Sequence, residues 1–509
     1  MAVYWLTEAL PLAATALLPA LLFPLFGIMK SSQVAGVYFK DFHLLLIGVI
    51  CLATSIEKWG LHRRIALRLV TLVGVNPGWL MLGFMNSCAF LSMWVQNTSA
   101  VAMVMPIVEA IIQQILNAEG EDIVLLECEP LSQSQFSERL KQVSFKNFPH
   151  NVVGGVFGVM RGVGFAPDIA IGQKIEGRYR SKREHMMCKG LCLSITYSSS
   201  IGGIATLPGT SPNLIFSEFY PECTSINFGN WIVLCLPISI IALLLSWIWL
   251  HWMFIGSEQS QTRQTGKHPI LTACFSPQEV VTAFIFILMV VLWVFRDPGF
   301  MPGQRHSPAT HALHALKGFM RVQLSVSLFL EAMISWKEFQ ACMPWEVALL
   351  VGGGFALAEG TQVSGLSSWV ANLLSPLGSL PIIATVTIAC VLVTSVTELA
   401  SNAATITIFL PILAPLAEAI HVNPLYVLIP TTLCTSFAFL LPSSNPSNAI
   451  VFAYGHLTTT DMVKAGIGVN VISVLAVLLA VTTWGIPLFD LDTYPDWAPT
   501  PSTSNITGW

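Results

Sequence analysis

Charge is scarce in this chain of 509 residues, since only 10% are Asp, Glu, Lys or Arg while 54% are hydrophobic. Soluble domains carry roughly 25% charged residues, so a water-soluble globule of this composition would expose far too much apolar surface. The chain also contains many apolar runs close to the ~20 residues that a membrane-spanning helix needs. The composition therefore predicts an all-α polytopic membrane protein whose outer surface faces lipid.

Several other features are missing. The formal net charge of -4 gives no indication of nucleic-acid binding. The 11 cysteines are scattered and form no paired CxxC motif of a zinc site. No nucleophile–base or metal-ligand constellation indicates an enzyme or a bound cofactor. No basic segment precedes the first apolar run, so a cleavable signal peptide is not expected.

The distribution of polar residues divides the chain. The longest polar region, 118–189, opens acidic and closes with the basic run "EGRYRSKREH", which places it in the cytoplasm. The tail 490–509 has no Lys or Arg and ends in the sequon Asn505-Ile-Thr507, which predicts an extracellular, glycosylated Asn505. The remaining divisions are first-repeat membrane segments with the first hairpin in 1–117, the end of the first repeat and further spanning helices in 190–300, a divergent connection in 301–335, and second-repeat segments with the second hairpin in 336–489.

Two polar stretches in apolar surroundings repeat each other. In "LSMWVQNTSAVAMVMPIVEAI" Asn97 is followed by Pro106, and in "SVTELASNAATITIFLPILAPL" Asn402 is followed by Pro411 at the same distance. Each is followed by a second polar cluster, "GTSPNLIF" and "SSNPSNAIVF". Two related halves with paired broken segments are typical of secondary transporters. Small-residue packing motifs and proline kinks are the weaker interpretation.

The residue types in these four clusters indicate their chemistry. Carbonyls freed where a helix breaks, together with Ser, Thr and Asn oxygens, supply hard oxygen ligands for a small cation. Helix N-termini beside them present N–H groups and partial positive charge to an anion. None of the clusters contains Lys or Arg, so an anion there needs bound cations. Glu398, one turn before Asn402, is expected to brace the hairpin or the cation site.

Further motifs give a family resemblance. "SIEKWGLHRRIAL", "SIGGIATLPGT", "MPWEVALLVGGGFALAEG" and "FLPILAPLAEAIHVNPLYVLIP" resemble signatures of the divalent-anion:sodium symporter family, solute carrier family 13. "CTSFAFLLP", "NAIVFAYGHL" and "FDLDTYPDWAP" are most similar to its sodium/sulfate cotransporter branch. Carboxylate carriers typically have Thr where Ala403 and Asn445 stand here.

The resemblance implies an inverted-repeat, elevator-type transporter, a homodimer in the membrane, with two re-entrant hairpins and unwound helices. The matching motifs also imply which residues bind the sodium ions and the anion. The first sodium site would use Gln96, Asn97, Thr210, Ser211 and Asn213, and the second Thr397, Ser401, Asn402, Ser444 and Asn448. The anion would face Asn97, Thr98, Asn402, Ala403, Asn445 and Pro446.

The chain also departs from the family pattern. Gln96 replaces a usual Ser, and Ser447 replaces a usual Pro. Met1 lies at what the family treats as its second spanning segment, and 303–333 does not match the expected apolar helix.

The leading hypothesis is sodium-coupled symport of sulfate and similar tetrahedral divalent oxyanions at the plasma membrane, on the apical side of epithelial cells by resemblance. The alternatives are a sodium-coupled succinate or citrate transporter, and a truncated, non-transporting chain that only assembles with full-length subunits.

Overall fold

The computed structural model describes residues 11–38, 77–117, 182–217, 225–256, 277–296, 335–343, 345–365 and 381–498, plus single positions between 4 and 59 and at 219 and 223. Every regular element in these ranges is helical, as the composition predicts. Asn505, the tail beyond 498, the region 303–333 and the loop residues 118–181 lie outside the described residues.

The helices are α1 Leu12–Ala16, α2 Leu18–Leu25, α3 Ser31–Tyr38, α4 Pro77–Ser92, α5 Asn97–Asn117, α6 Lys182–Gly203, α7 Ser211–Ser217, α8 Phe228–Leu250, α9 Pro277–Arg296, α10 Trp336–Cys342, α11 Trp345–Val363, α12 Ile382–Thr397, α13 Asn402–Ala419, α14 Pro424–Cys434, α15 Pro446–Ala453, α16 Thr459–Ala480 and α17 Ile486–Phe489.

Three of the described helical stretches are long and apolar enough to cross a membrane: Phe228–Ile255, Asn402–Ala419 and Thr459–Phe489. Other apolar helices in the described ranges are shorter, and three of them begin or end at the polar clusters: Asn97–Gln113, Ile382–Thr397 and Pro424–Cys434. A helix that stops inside hydrocarbon is tolerated only where its freed backbone lines a cavity or is buried in protein.

The element order repeats. The helices α4, α5, α6, α7 and α8 have counterparts α12, α13, α14, α15 and α16, in the same order and with short breaks at the same places. Both α8 and α16 end in a five-residue π-helical turn, His251–Ile255 and Val481–Gly485. The two halves anticipated from the polar clusters therefore share one local plan.

The two halves are interleaved. The short helix α7 packs against α13 of the other half, and α15 packs against α5. The long helices α8 and α16 also pack on each other. Each half thus covers the broken segments of the other.

The first and third breaks precede their asparagines and do not occur at the prolines nine residues further on. Pro106 lies inside α5, and Pro411 lies inside α13. The helix α13 begins after Ser401, whose hydroxyl accepts a hydrogen bond from Ala404 N at 3.3 Å, a typical N-cap. The positions of these two breaks are therefore set by the polar residues before each helix and not by the prolines inside it.

The glycine-rich helix α11 is a packing element that joins α1, α2 and α3 to α13. A Cβ added at Gly353 would lie 2.4 Å from the carbonyl oxygen of Ala16 in α1. A Cβ at Gly354 would lie 2.2 Å from Thr407 Cγ2 in α13. The "VGGGFALAEG" run therefore allows backbones to approach closely.

We expect Gly354→Ala to destabilise the protein by about 1–3 kcal/mol through overpacking. Thr407 cannot rotate away freely, because its hydroxyl donates to the Ala403 carbonyl at 2.7 Å. Thermal unfolding of the purified chain measures the effect. The double variant Gly354→Ala/Thr407→Ser, which removes the clashing methyl and keeps the hydroxyl, should recover most of the loss. Equal unfolding temperatures for Gly354→Ala and the unchanged chain would show that α11 and α13 are not in close contact.

Candidate functional site

The break between α4 and α5 is held by its own side chains and by a second break. Ser92 Oγ donates to Asn97 Oδ1 at 2.5 Å, across the break at 93–96. The hydroxyl of Thr206, in the break between α6 and α7, donates to the Met93 carbonyl. The first two polar clusters of the sequence are therefore in contact.

Two glycines allow this contact. A Cβ at Gly203 would lie 2.2 Å from Asn97 Oδ1 and 2.8 Å from Thr210 Cγ2. A Cβ at Gly209 would lie 2.3 Å from the Gly203 carbonyl oxygen and 3.0 Å from that of Ser92. Only a residue without a side chain fits at either position, and several oxygen atoms converge there as a result.

Asn213, which is fully buried, spans the break between α6 and α7. Its Nδ2 donates to the carbonyl oxygens of Ile204 at 3.3 Å and Thr206 at 2.8 Å. Among the described residues, its Oδ1 has no hydrogen-bond partner, and neither does the buried Thr210 Oγ1. Buried polar atoms are usually paired, so these two oxygens are candidate ligands for a bound ion.

Gln96 and Ser211 flank this group. Both are half-buried, at the start of α5 and of α7 respectively, and the Gln96 carbonyl accepts from Ala100 N at 3.0 Å. The structure thus brings Asn97, Thr210 and Asn213 around one pair of breaks, with Gln96 and Ser211 at its margins.

The second half repeats the arrangement at 398–401. Thr397 Oγ1 contacts Asn402 Oδ1 at 3.0 Å, at the same five-residue spacing as Ser92 and Asn97. The same hydroxyl donates to the Thr435 carbonyl at 2.7 Å, at the end of α14. Thr397 therefore joins the third break to the fourth.

Asn448 spans the fourth break, 435–445, as Asn213 spans the second. Its Nδ2 lies 2.9 Å from the carbonyl oxygens of Ala438 and Leu441 and 3.2 Å from Ser444 Oγ. Ser444 Oγ itself donates to the Leu441 carbonyl at 2.8 Å. Asn448 therefore fixes the direction of the carbonyls that this break exposes.

Glu398 braces the second half, one of the roles the sequence favoured for it. The side chain is 6% exposed and accepts from Phe439 N at 2.9 Å, Leu440 N at 3.0 Å and Asn470 Nδ2 at 2.7 Å. Two of these donors are backbone groups freed by the fourth break. The carboxylate thus ties the third break, the fourth break and α16 together.

The residues expected to face the anion lie at helix starts. Asn97 and Thr98 begin α5, Asn402 and Ala403 begin α13, and Pro446 begins α15 after its N-cap Asn445. Asn445 Oδ1 accepts from Ser447 N at 3.2 Å. Across the described residues, no hydrogen bond directly joins Asn97 or Thr98 to Asn402 or Asn445, so the halves meet through other groups.

The groups that reach the fourth break are on α6. Thr196 Oγ1 donates to Asn448 Oδ1 at 2.6 Å, and Asn445 Nδ2 lies 3.5 Å from Ser200 Oγ. Both α6 residues are fully buried, four positions apart and so on one helix face. Sequence reasoning missed them, although the hydroxyl run "SITYSSS" in an apolar context was a usable signal.

The chemistry of the site follows from its atoms. Its ligating groups are amide, hydroxyl and carbonyl oxygens, which favour hard cations. Across the described part of the chain, no group of three His, Cys, Asp or Glu side chains is arranged to hold a metal ion. Helix starts at Asn97, Asn402 and Pro446 add partial positive charge. The arrangement can hold small cations beside an anion.

Comparisons with known proteins agree with this chemistry. The family described as "Sodium:sulfate symporter transmembrane region" matches residues 1–491. Solute carrier family 13 member 1 of Rattus norvegicus is 51% identical over 98% of this chain and 91% of its own length. Solute carrier family 13 member 4 of Homo sapiens is 44% identical, over 99% and 92%. The Na(+)/citrate cotransporter of Mus musculus is 37% identical, over 99% and 92%.

We expect Glu398→Ala to lower the unfolding free energy by about 2–4 kcal/mol, because two buried backbone N–H groups and the Asn470 amide lose their acceptor. Thermal unfolding of the purified chain measures this. Glu359→Ala, at an exposed glutamate of α11, is the control and should change the unfolding temperature little. A Glu398→Ala variant as stable as the control would contradict the bracing role.

Proposed function

Because the chain belongs to the sodium:sulfate symporter family, we propose that its paired helix breaks are the site at which it performs sodium-coupled sulfate symport across the plasma membrane. The protein is a multi-pass membrane transporter and not an enzyme. Sodium and sulfate are its transported substrates. The single observation that carries the proposal is the convergence of buried, unpaired side-chain oxygens with freed carbonyls at the breaks.

Sulfate is a dianion, and no Lys or Arg lies in the four polar clusters to balance it. We infer that α5, α13 and α15 direct their N-terminal N–H groups toward the anion. Each helix end supplies only about half an elementary charge, so bound sodium ions provide the rest. Asn97, Thr98, Asn402, Ala403, Asn445 and Pro446 would surround the anion. This electrostatic requirement is the physical basis of the coupling.

The first sodium site would lie between the breaks at 93–96 and 204–210. The Oδ1 of Asn213 and the Oγ1 of Thr210 support it most directly, since both are buried and lack protein partners. Asn97 Oδ1 and the Gly203 carbonyl oxygen lie at the same close approach. Gln96 and Ser211 would complete the site from its margins.

The second sodium site would lie between the breaks at 398–401 and 435–445. Two of the hydroxyls expected as ligands there are already hydrogen-bonded: Thr397 to Asn402 and Thr435, and Ser444 to Leu441. Ser401 also caps α13. The site would therefore consist largely of backbone carbonyl oxygens whose directions Asn448 and Glu398 hold.

We propose an inverted-repeat fold in which the broken segments form two re-entrant hairpins and move as one body in an elevator-type motion. The matched element order and the interleaving of α7 with α13 and of α15 with α5 support it. The small-residue contact of Gly354 with Thr407 suits a boundary at which α11 stays in place. The same proposal includes a homodimer, a cytoplasmic loop at 118–189, an extracellular glycosylated Asn505 and apical sorting.

The similarity of the chain to different branches of the family indicates which anion it transports. The chain is 51% identical to solute carrier family 13 member 1 and 37% identical to a Na(+)/citrate cotransporter. Ala403, 8% exposed in the first turn of α13, lacks the hydroxyl that carboxylate carriers typically present. Asn445 adds an amide opposite α6. The presence of Ala403 and Asn445 where carboxylate carriers typically have Thr favours a compact tetrahedral anion over a longer carboxylate.

Radiolabelled sulfate uptake in cells expressing the chain tests the function. Uptake should require sodium, fall when choline replaces it, and resist competition by succinate. Uptake that persists in choline would disprove coupling, and succinate uptake without sulfate uptake would move the substrate to the carboxylates. Absence of uptake despite surface expression would favour a chain that only assembles with other subunits.

We expect Asn402→Ala to reduce sodium-dependent sulfate uptake to the background of untransfected cells, because it removes the amide at the third break that Thr397 contacts. Asn230→Ala, at the start of α8, is the matched control and should retain uptake, because the Asn230 amide donates to the Ser225 carbonyl outside the four polar clusters. Normal uptake by Asn402→Ala at equal surface expression would mean that this break serves packing only.

We expect Ala403→Thr to lower the ratio of sulfate to succinate uptake by about tenfold, equivalent to ~1.4 kcal/mol of differential binding. The new hydroxyl and methyl group would change both the polarity and the width of the site. Uptake of the two labelled anions by one cell population measures the ratio. Ala403→Ser separates the hydroxyl from the methyl group. An unchanged ratio in both variants would exclude position 403 as a determinant of selectivity.

A further inference from the structure

The two asparagines that span the breaks differ in one respect. Both are fully buried, and both use Nδ2 to hold the carbonyls of a broken helix. Within the described part of the chain, the Oδ1 of Asn213 has no partner, whereas the Oδ1 of Asn448 accepts a hydrogen bond of 2.6 Å from Thr196. At these equivalent positions, the amide oxygen is therefore unpaired in the first half and hydrogen-bonded in the second.

We propose that Thr196 is a positioning residue whose hydroxyl is hydrogen-bonded to the Asn448 amide oxygen and so keeps that oxygen from binding sodium. The second sodium site then relies on backbone carbonyls oriented by Asn448, whereas the first site uses the Asn213 amide oxygen directly. The proposal rests on the proposed function and deepens it. It makes the two sodium sites chemically unequal, although they derive from the same local plan.

The orientation of the Asn448 amide follows from its neighbours. The carbonyl oxygens of Ala438 and Leu441 can only accept hydrogen bonds, so the –NH₂ group must face them. The amide oxygen then points to Thr196, whose hydroxyl supplies the proton. The Thr196 hydroxyl thus completes the set of bonds that keeps Nδ2 on the two carbonyls.

Removal of that hydroxyl would leave a fully buried amide oxygen without a donor. Such a group carries a desolvation penalty, which raises the free energy of this amide orientation and shifts the population toward rotated side chains. Rotation would withdraw Nδ2 from Ala438 and Leu441 and release the carbonyls that the second site needs. Because Thr196 lies on α6 and touches neither carbonyl, its effect is exerted through Asn448.

The test uses Thr196→Val, which keeps the shape of the side chain and removes the hydroxyl. We expect the sodium concentration for half-maximal sulfate uptake to rise about tenfold, the effect of one unpaired buried group. The KM for sulfate at saturating sodium should stay within about twofold. In the purified full chain, the rise in unfolding temperature on replacing choline with sodium should shrink.

Two variants serve as controls. Thr196→Ser retains the hydroxyl and should restore the sodium dependence of the unchanged chain. Thr431→Val makes the same substitution at a buried threonine of α14 whose hydroxyl bonds only to its own helix, at Val427 and Leu428. It should leave the sodium dependence unchanged. If Thr196→Val does not reach the surface, Thr196→Cys, with its weak thiol donor, should give an intermediate shift.

Unchanged sodium dependence in Thr196→Val or in the substituted Thr196→Cys would overturn the inference. So would an equal shift in Thr196→Ser, because the hydroxyl would then not be the cause. The two levels of proposal fail separately. If the unchanged chain shows no sodium-dependent sulfate uptake, the proposed function falls. If it does and Thr196→Val behaves identically, only the role of Thr196 falls.

Discussion

The constraint on which the rest of this structure depends is that backbone groups freed inside an apolar interior must find partners. The four helix breaks meet it with polar side chains from neighbouring segments: Asn213 at the second, Asn448 and Glu398 at the fourth. These side chains do more than satisfy hydrogen bonds, because each also fixes the direction of the groups it contacts. Stability of the breaks and the geometry of the oxygen-lined site therefore have the same physical origin, and neither can be altered without the other.

Part of this arrangement was predictable. The two matched Asn–Pro spacings located the first and third breaks, and the polar clusters downstream of them located the second and fourth. Glu398 was singled out because an ionisable side chain within an apolar segment is functional by default. Thr196 and Ser200 were missed, since a hydroxyl inside a continuous helix usually bonds within that helix. Their partners lie in the other half, and helical periodicity carries no information on which distant segment a face contacts. For the same reason, the sequence did not predict that α7 packs against α13. The expectations for Asn505 and 303–333 stay predictions.

The two halves also show how a repeated plan diverges in chemistry. Local spacing is retained, as in the hydroxyl–asparagine contacts at 92–97 and 397–402. What differs is supplied from the other half, because α6 contributes the Thr196 hydroxyl to Asn448. Under the proposed assignment, the two cation sites are unequal and would fill at different sodium concentrations. The order of events in the transport cycle would then depend on contacts between the halves.

The exchange of short helices between the halves constrains how the chain is made. The first hairpin, α4 and α5, leaves the ribosome early, yet α15, which packs against α5, is among the last elements synthesised. Until then the hairpin and its polar break lack their cover and must be shielded by the insertion machinery or by water. Assembly of the core is therefore a late, non-local event, of the kind that folds slowly because loop closure precedes any gain in contacts. Premature termination anywhere before α15 leaves both halves unfinished, and such chains are substrates for degradation.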